Sequence, residues 1–120
     1  MNALARARQA LGTKFRLHGR DPASGLDCVG LAAWAHRVDA PRGYALRTAD
    51  AARAAAAIEA AGLRPSEEMR AGDVLLLRSG PGQLHFAIWT GAGVIHADAM
   101  LRRVVERPGL PWPVLGQWRR

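Results

Sequence analysis

The sequence predicts an α+β fold, on three observations. Apolar residues at helical spacing fill the first half of the chain, and short apolar runs bounded by Gly and Pro fill the second. The two kinds of segment do not alternate, so N-terminal helices should pack on a mostly antiparallel sheet. At 120 residues, 49% hydrophobic and 22% charged, the chain has the size and composition for one core and not two, so residues 1–120 are read as a single domain.

Ala3, Leu4, Ala7, Ala10 and Leu11 set the spacing of a helix over residues 2–11, with Gly12 as its stop. TKFRLHGRDPASG, residues 13–25, reads as a polar loop with Asp21-Pro22 and Ser24-Gly25 as turn signals, and a loop of this length in so small a domain points to function. Asp27 can cap a helix from Cys28 to His36, with Leu31 and Ala35 one turn apart, broken by Pro41 and Gly43. The third helix is the tract ADAARAAAAIEAA, capped by Thr48 and ended by Gly62. Strands follow at Asp73–Arg78, closed by SGPG, then at HFAIWT and VIHAD around Gly91-Ala92-Gly93 as a hairpin. LRRVVER and PVLGQW complete the strand series.

Charge and composition exclude several classes. The net charge of +7 comes from 17 basic residues, all arginine except Lys14, and suits attraction to an anionic polymer such as nucleic acid or cell wall. The basic residues never run beyond two and are not interleaved with aromatics, so no specific nucleic-acid site is expected. The longest uncharged stretch, Ser79 to Ala97, holds Pro81, two histidines and four glycines and makes no membrane span. MNALARARQALG lacks a secretory h-region, so a cytoplasmic origin is expected, with export by a partner or particle left open. One cysteine excludes an internal disulfide and leaves a free thiol.

That thiol, Cys28, stands where a helix begins, and the unpaired N–H groups there lower a thiol's pKa. A nucleophilic thiol also needs an imidazole within reach. A two-residue hairpin loop sets His96 opposite Ala87 and diagonal to His85 on one face, leaving Phe86, Ile88, Ile95 and Ala97 on a wholly apolar other face. A three-residue loop would part the histidines and mix polar with apolar, so patterning favours the first register. A buried, inert cysteine is the competing reading. A zinc site from His18, Cys28, His85 and His96 lacks any paired ligand spacing, and no metal is expected.

With these residues in view, the chain resembles the NlpC-type peptidoglycan endopeptidases, cysteine peptidases of a circularly permuted papain-like fold. Family members are similar to G-x-P-Y-x-x-G-G, D-C-S-G-L, P-G-D-L-x-F-F, H-V-G-I-Y-x-G and I-H-A. This chain has Gly12 to Gly19 (GTKFRLHG), Asp27 to Leu31 (DCVGL), Ala71 to Leu77 (AGDVLLL), His85 to Gly91 (HFAIWTG) and Ile95 to Ala97 (IHA), in the same order. The resemblance covers about residues 4 to 118.

The resemblance implies Cys28 as nucleophile, His85 as base and His96 as its orienting partner, with Asp98 as the competing orienter because it faces His85 directly in the favoured register. Asp27, Phe15, His18 and Arg16 are then the substrate-binding candidates, Asp27 being equally readable as a plain cap. Arg16, Arg20 and Arg47 are possible partners for stem-peptide carboxylates, or ordinary surface arginines. The chain departs from the pattern at Lys14 for proline, Phe15 for tyrosine, His18 for the first glycine of the pair and Val29 for serine. The loss of the tyrosine hydroxyl removes a candidate oxyanion donor. The implied reaction is hydrolysis of the D-glutamyl–diamino acid bond of a peptidoglycan stem peptide through a thioester, with no cofactor. Phage-tail or phage-like particle proteins are the implied carriers to the wall. The alternatives are a thiol-dependent amidase or acyltransferase on another substrate, a non-catalytic structural or binding relative, and a basic nucleic-acid binder.

Overall fold

A computed structural model describes residues 2–40 and 50–120. The helices α1 (Ala3–Gln9), α2 (Cys28–His36) and α3 (Ala51–Ala60) pack on one side of a six-stranded antiparallel sheet. Its strands are β3 (Arg64–Pro65), β4 (Val74–Gly80), β5 (Gln83–Trp89), β6 (Gly93–Asp98), β7 (Arg103–Pro108) and β8 (Val114–Arg119), in the order β3-β8-β4-β5-β6-β7. A separate ribbon of β1 (Arg20–Asp21) and β2 (Gly25–Leu26) lies inside the segment expected to be an unbroken loop. Strands of two residues are too short to show a period of two, which is why the sequence hides them.

Local chemistry explains the helix starts. Asn2 caps α1, its side chain accepting from the Ala5 N–H at 2.8 Å, and Asp27 caps α2 as expected. Helix α3 starts at Ala51, where the Asp50 side chain accepts from the Arg53 N–H at 3.0 Å. Thr48, expected as that cap, lies outside the described residues, as do Pro41, Gly43 and Arg47. Strand β4 runs through Ser79 and Gly80 instead of ending at Arg78, with a bulge between Arg78 and Gly80.

The core has two parts because the sheet is covered on both faces. Leu31 and Ala35 of α2 pack with Leu76, Phe86, Ile88, Ile95 and Ala97 on the helix side. A smaller cluster of Leu75, Leu77, Ala87 and Val94 fills the opposite face, with Trp89, Trp112 and Val114 against it. The hairpin register is the one patterning favoured: Ile88 pairs with Ile95 and Trp89 with Val94. The apolar face is therefore in the core, and the two histidines share the other.

Helix α2 reaches the ribbon through two glycines. A Cβ on Gly30 would fall inside contact distance of the Gly19 carbonyl oxygen, and one on Gly19 would strike the Gly25 carbonyl. Both obstacles are backbone and cannot swing aside. Gly30→Ala is accordingly expected to destabilise the protein by about 1–3 kcal/mol or more through overpacking. Thermal unfolding checks this, and an unchanged melting temperature would contradict the close approach.

Candidate active site

Cys28 is the first residue of α2 and is 4% exposed. Its cap is over-determined. The Asp27 carboxylate accepts from the Gly30 N–H at 2.8 Å and the His18 N–H at 2.8 Å, and pairs with Arg20 at 3.2 Å. His18 contributes its backbone here, at φ 60, in the left-handed region. Arg20, one of the candidate arginines, is thus engaged with Asp27.

The sheet opens opposite this helix start. The pairing of β5 with β6 covers only Ile88 with Ile95 and Trp89 with Val94, although both strands continue beyond it. The Trp89 N–H donates to the Asp73 carbonyl at 2.8 Å, so odd-numbered amides of β5 face β4 and even-numbered ones face β6. Phe86 is even, and in the opened stretch its N–H donates toward the Cys28 sulfur. Burial nevertheless dominates and pushes the thiol up to about 12, with the Asp27 charge adding to the rise. The N–H groups of Phe86, Val29 and Cys28 act the other way. The resting sulfur is a neutral thiol.

His85 and His96 meet across the opening, with His85 Nε2 3.0 Å from His96 Nδ1. Burial, then the neighbouring His96, lowers His85 to about 4, against the pull of Asp98 and Asp27. His96 is 1% exposed and is lowered mainly by burial. Both imidazoles are therefore neutral at neutral pH. A neutral His85 that donates from Nε2 to His96 keeps Nδ1 free to accept a proton, and leaves the His96 proton on Nε2. The latter atom is buried and has no hydrogen-bond partner among the described residues. Asp98, the competing orienter, spends Oδ1 on the N–H groups of Met100 and Leu101 at 2.8 and 3.0 Å.

Cys28, His85 and His96 all line one cleft of about 670 Å³. Asp27 and Phe15 line it too, whereas Arg16 and His18 do not. From the 13–25 segment the wall is apolar, made by Phe15 and Leu17, the latter 68% exposed. Ser79, Gln83, Met100 and Trp112 are lining residues that sequence reasoning missed. Ser79 was visible only as part of the SGPG run that closes a strand, and nothing in the sequence marked Trp112. Among the described residues no group of three or more His, Cys, Asp and Glu is placed to hold a metal ion.

The buried neutral groups set a pH window for stability. His36, whose Nε2 lies 2.7 Å from the Gly72 carbonyl oxygen, is also lowered, mainly by burial. These histidines resist protonation in the fold and not in the unfolded chain, so stability is lost as pH falls from 6.5 toward about 4, the His85 value. Cys28 holds its proton in the fold up to about 12 while the unfolded thiol loses it near 9, so stability also falls as pH rises through that interval. Melting temperatures measured across pH should form a plateau between these limits and decline on both sides. A flat profile would contradict the burial of these groups.

Comparison with known proteins gives the family and fold. The NlpC/P60 family model matches residues 12–108. No curated protein sequence matches the chain. Among solved structures, NlpC1 of Trichomonas vaginalis is 24% identical, with a TM-score of 0.71 over 98% of this chain and 44% of that one. NlpC2 of the same organism is 24% identical, with a TM-score of 0.71 over 98% of this chain and 45% of that one. This chain thus spans less than half the length of either. The NlpC/p60 domain of the peptidoglycan hydrolase SagA is 27% identical, with a TM-score of 0.60 over 88% of this chain and 86% of that one. The fold is papain-like α+β, as expected, and with four-fifths of its length matched the chain belongs to the NlpC/P60 family.

Proposed function

We propose that this chain is a cysteine peptidase that cleaves peptidoglycan stem peptides at the D-glutamyl–diamino acid bond. The observation that carries the proposal is one cleft lined by the Cys28 thiol at a helix start and by a hydrogen-bonded, neutral His85–His96 pair. Family membership and the likeness to a peptidoglycan hydrolase domain support the substrate class.

His85 Nδ1 takes the thiol proton as Sγ attacks the scissile carbonyl carbon, and His96 steadies the imidazolium that forms. The tetrahedral intermediate collapses, the C–N bond breaks, and His85 gives the proton to the departing amine. Water then attacks the thioester with His85 again as base, releasing the carboxylate and restoring the thiol. Phe15 brings no hydroxyl to the oxyanion, so the amides at the start of α2 carry that task. Mass spectrometry of defined stem-peptide fragments after incubation with the protein identifies the bond. New amine and carboxyl ends between D-glutamate and the diamino acid are expected, and intact fragments would overturn the proposal.

A further inference from the structure

Trp112 sits between β7 and β8, outside every motif that carries the family likeness. Pro111 and Pro113 flank it and restrict the backbone on both sides. The Pro113 carbonyl accepts from the Arg78 N–H at 3.0 Å, which ties the segment to β4, and β4 pairs Leu77 with His85. The indole is therefore delivered to the histidines by a tethered segment.

Three rings meet there, each perpendicular to the other two. His85 and His96 lie 5.1 Å apart at 87°, His85 and Trp112 5.6 Å apart at 84°, and His96 and Trp112 5.5 Å apart at 88°. Edge-to-face contacts of this kind prefer one geometry over a range of tilts. The Arg107 guanidinium lies over the indole, 5.3 Å from its centroid, and holds it from the outer side. The hydrogen bond between the imidazoles fixes one nitrogen of each ring but does not by itself fix their rotation about that bond. The indole supplies the missing constraint, since rotating either imidazole would break a perpendicular contact.

We propose that Trp112, backed by Arg107, is a positioning residue that locks the relative orientation of His85 and His96 and keeps water from the pair. It touches both imidazoles and lines the cleft, yet has no proton to exchange in the reaction. The role in turnover rests on the peptidase reading above. The ring geometry and its effect on titration do not.

The charged groups acting on the pair are Asp27 and Asp98, which favour the imidazolium, and Arg107, which opposes it at His96. Removing the indole admits water and lifts the burial that holds both histidines low. Histidine-selective NMR titration of the folded protein is the test, alongside pH profiles of stem-peptide cleavage. In Trp112→Ala the His85 midpoint should rise from about 4 by about one unit or more toward the ordinary 6.5, the His96 midpoint should move in the same direction, and kcat should fall about tenfold with KM changed less. Trp112→Phe keeps a ring and should recover most of both effects, and it serves as the test if the alanine variant does not fold. A folded Trp112→Ala variant with wild-type histidine midpoints would overturn the proposal. So would a Phe variant as impaired as Ala. If the wild type cleaves nothing, the peptidase reading fails while the titration still decides the role of Trp112.

Discussion

Replacing His85 with alanine is expected to lower kcat by about 10²–10⁴, the usual contribution of a positioned general base, and to change the shape of the pH profile. Burial pushes the Cys28 thiol up to about 12, so without a base only a thiolate fraction of about 10⁻⁵ exists at pH 7. Activity of the variant should then rise about tenfold per pH unit, following the thiolate. The wild type needs only a neutral His85, which burial secures down to about pH 4, so its kcat/KM should be flat above roughly pH 5. Steady-state rates of both proteins between pH 5 and 9 check this. Parallel profiles would mean that His85 is not the base.

Replacing Cys28 has the largest effect, and the choice of replacement matters. The sulfur receives the Phe86 N–H where β5 and β6 part. Alanine leaves that amide buried without a partner, at a cost of about 1–3 kcal/mol. Serine keeps an acceptor of similar size in its place. Cys28→Ser should therefore melt close to the wild type while losing at least about 10³ of kcat/KM, because an alkoxide is far harder to form than a thiolate beside the same imidazole. Cys28→Ala should be equally inactive and should melt lower. Calorimetry with a cleavage assay separates the two effects. An active Cys28→Ser variant would remove the thiol from the chemistry.

Much of this site was legible in the sequence because it rests on local rules. A capping aspartate before an apolar run placed Cys28 at a helix start, and the structure begins α2 at that residue. The period of two in β5 and β6 put His85 and His96 on one face, since the alternative register would have buried a histidine with Phe86 and Ile88. The rest depends on contacts between distant segments. Nothing in HFAIWT or VIHAD signals that the strand pairing stops at Ile88 and Ile95, where the cleft with Cys28 opens. Trp112 reaches the histidines only through the tether between Pro113 and Arg78. His36 has no sequence pattern marking it as the link between α2 and Gly72. Arg16 and His18, named as substrate-binding candidates, stand outside the cleft lining, where Phe15 and Leu17 form the wall from that segment.

The peptidase reading requires that Cys28 form a covalent acyl intermediate with a stem peptide. The most direct measurement is acid quenching of wild type and Cys28→Ser in the first turnover, followed by intact-protein mass spectrometry and peptide mapping. An adduct with the mass of the acyl half of the substrate is expected, located on the peptide containing Cys28 and absent from the serine variant. Product formation without an adduct, at the same rate in both proteins, would contradict it.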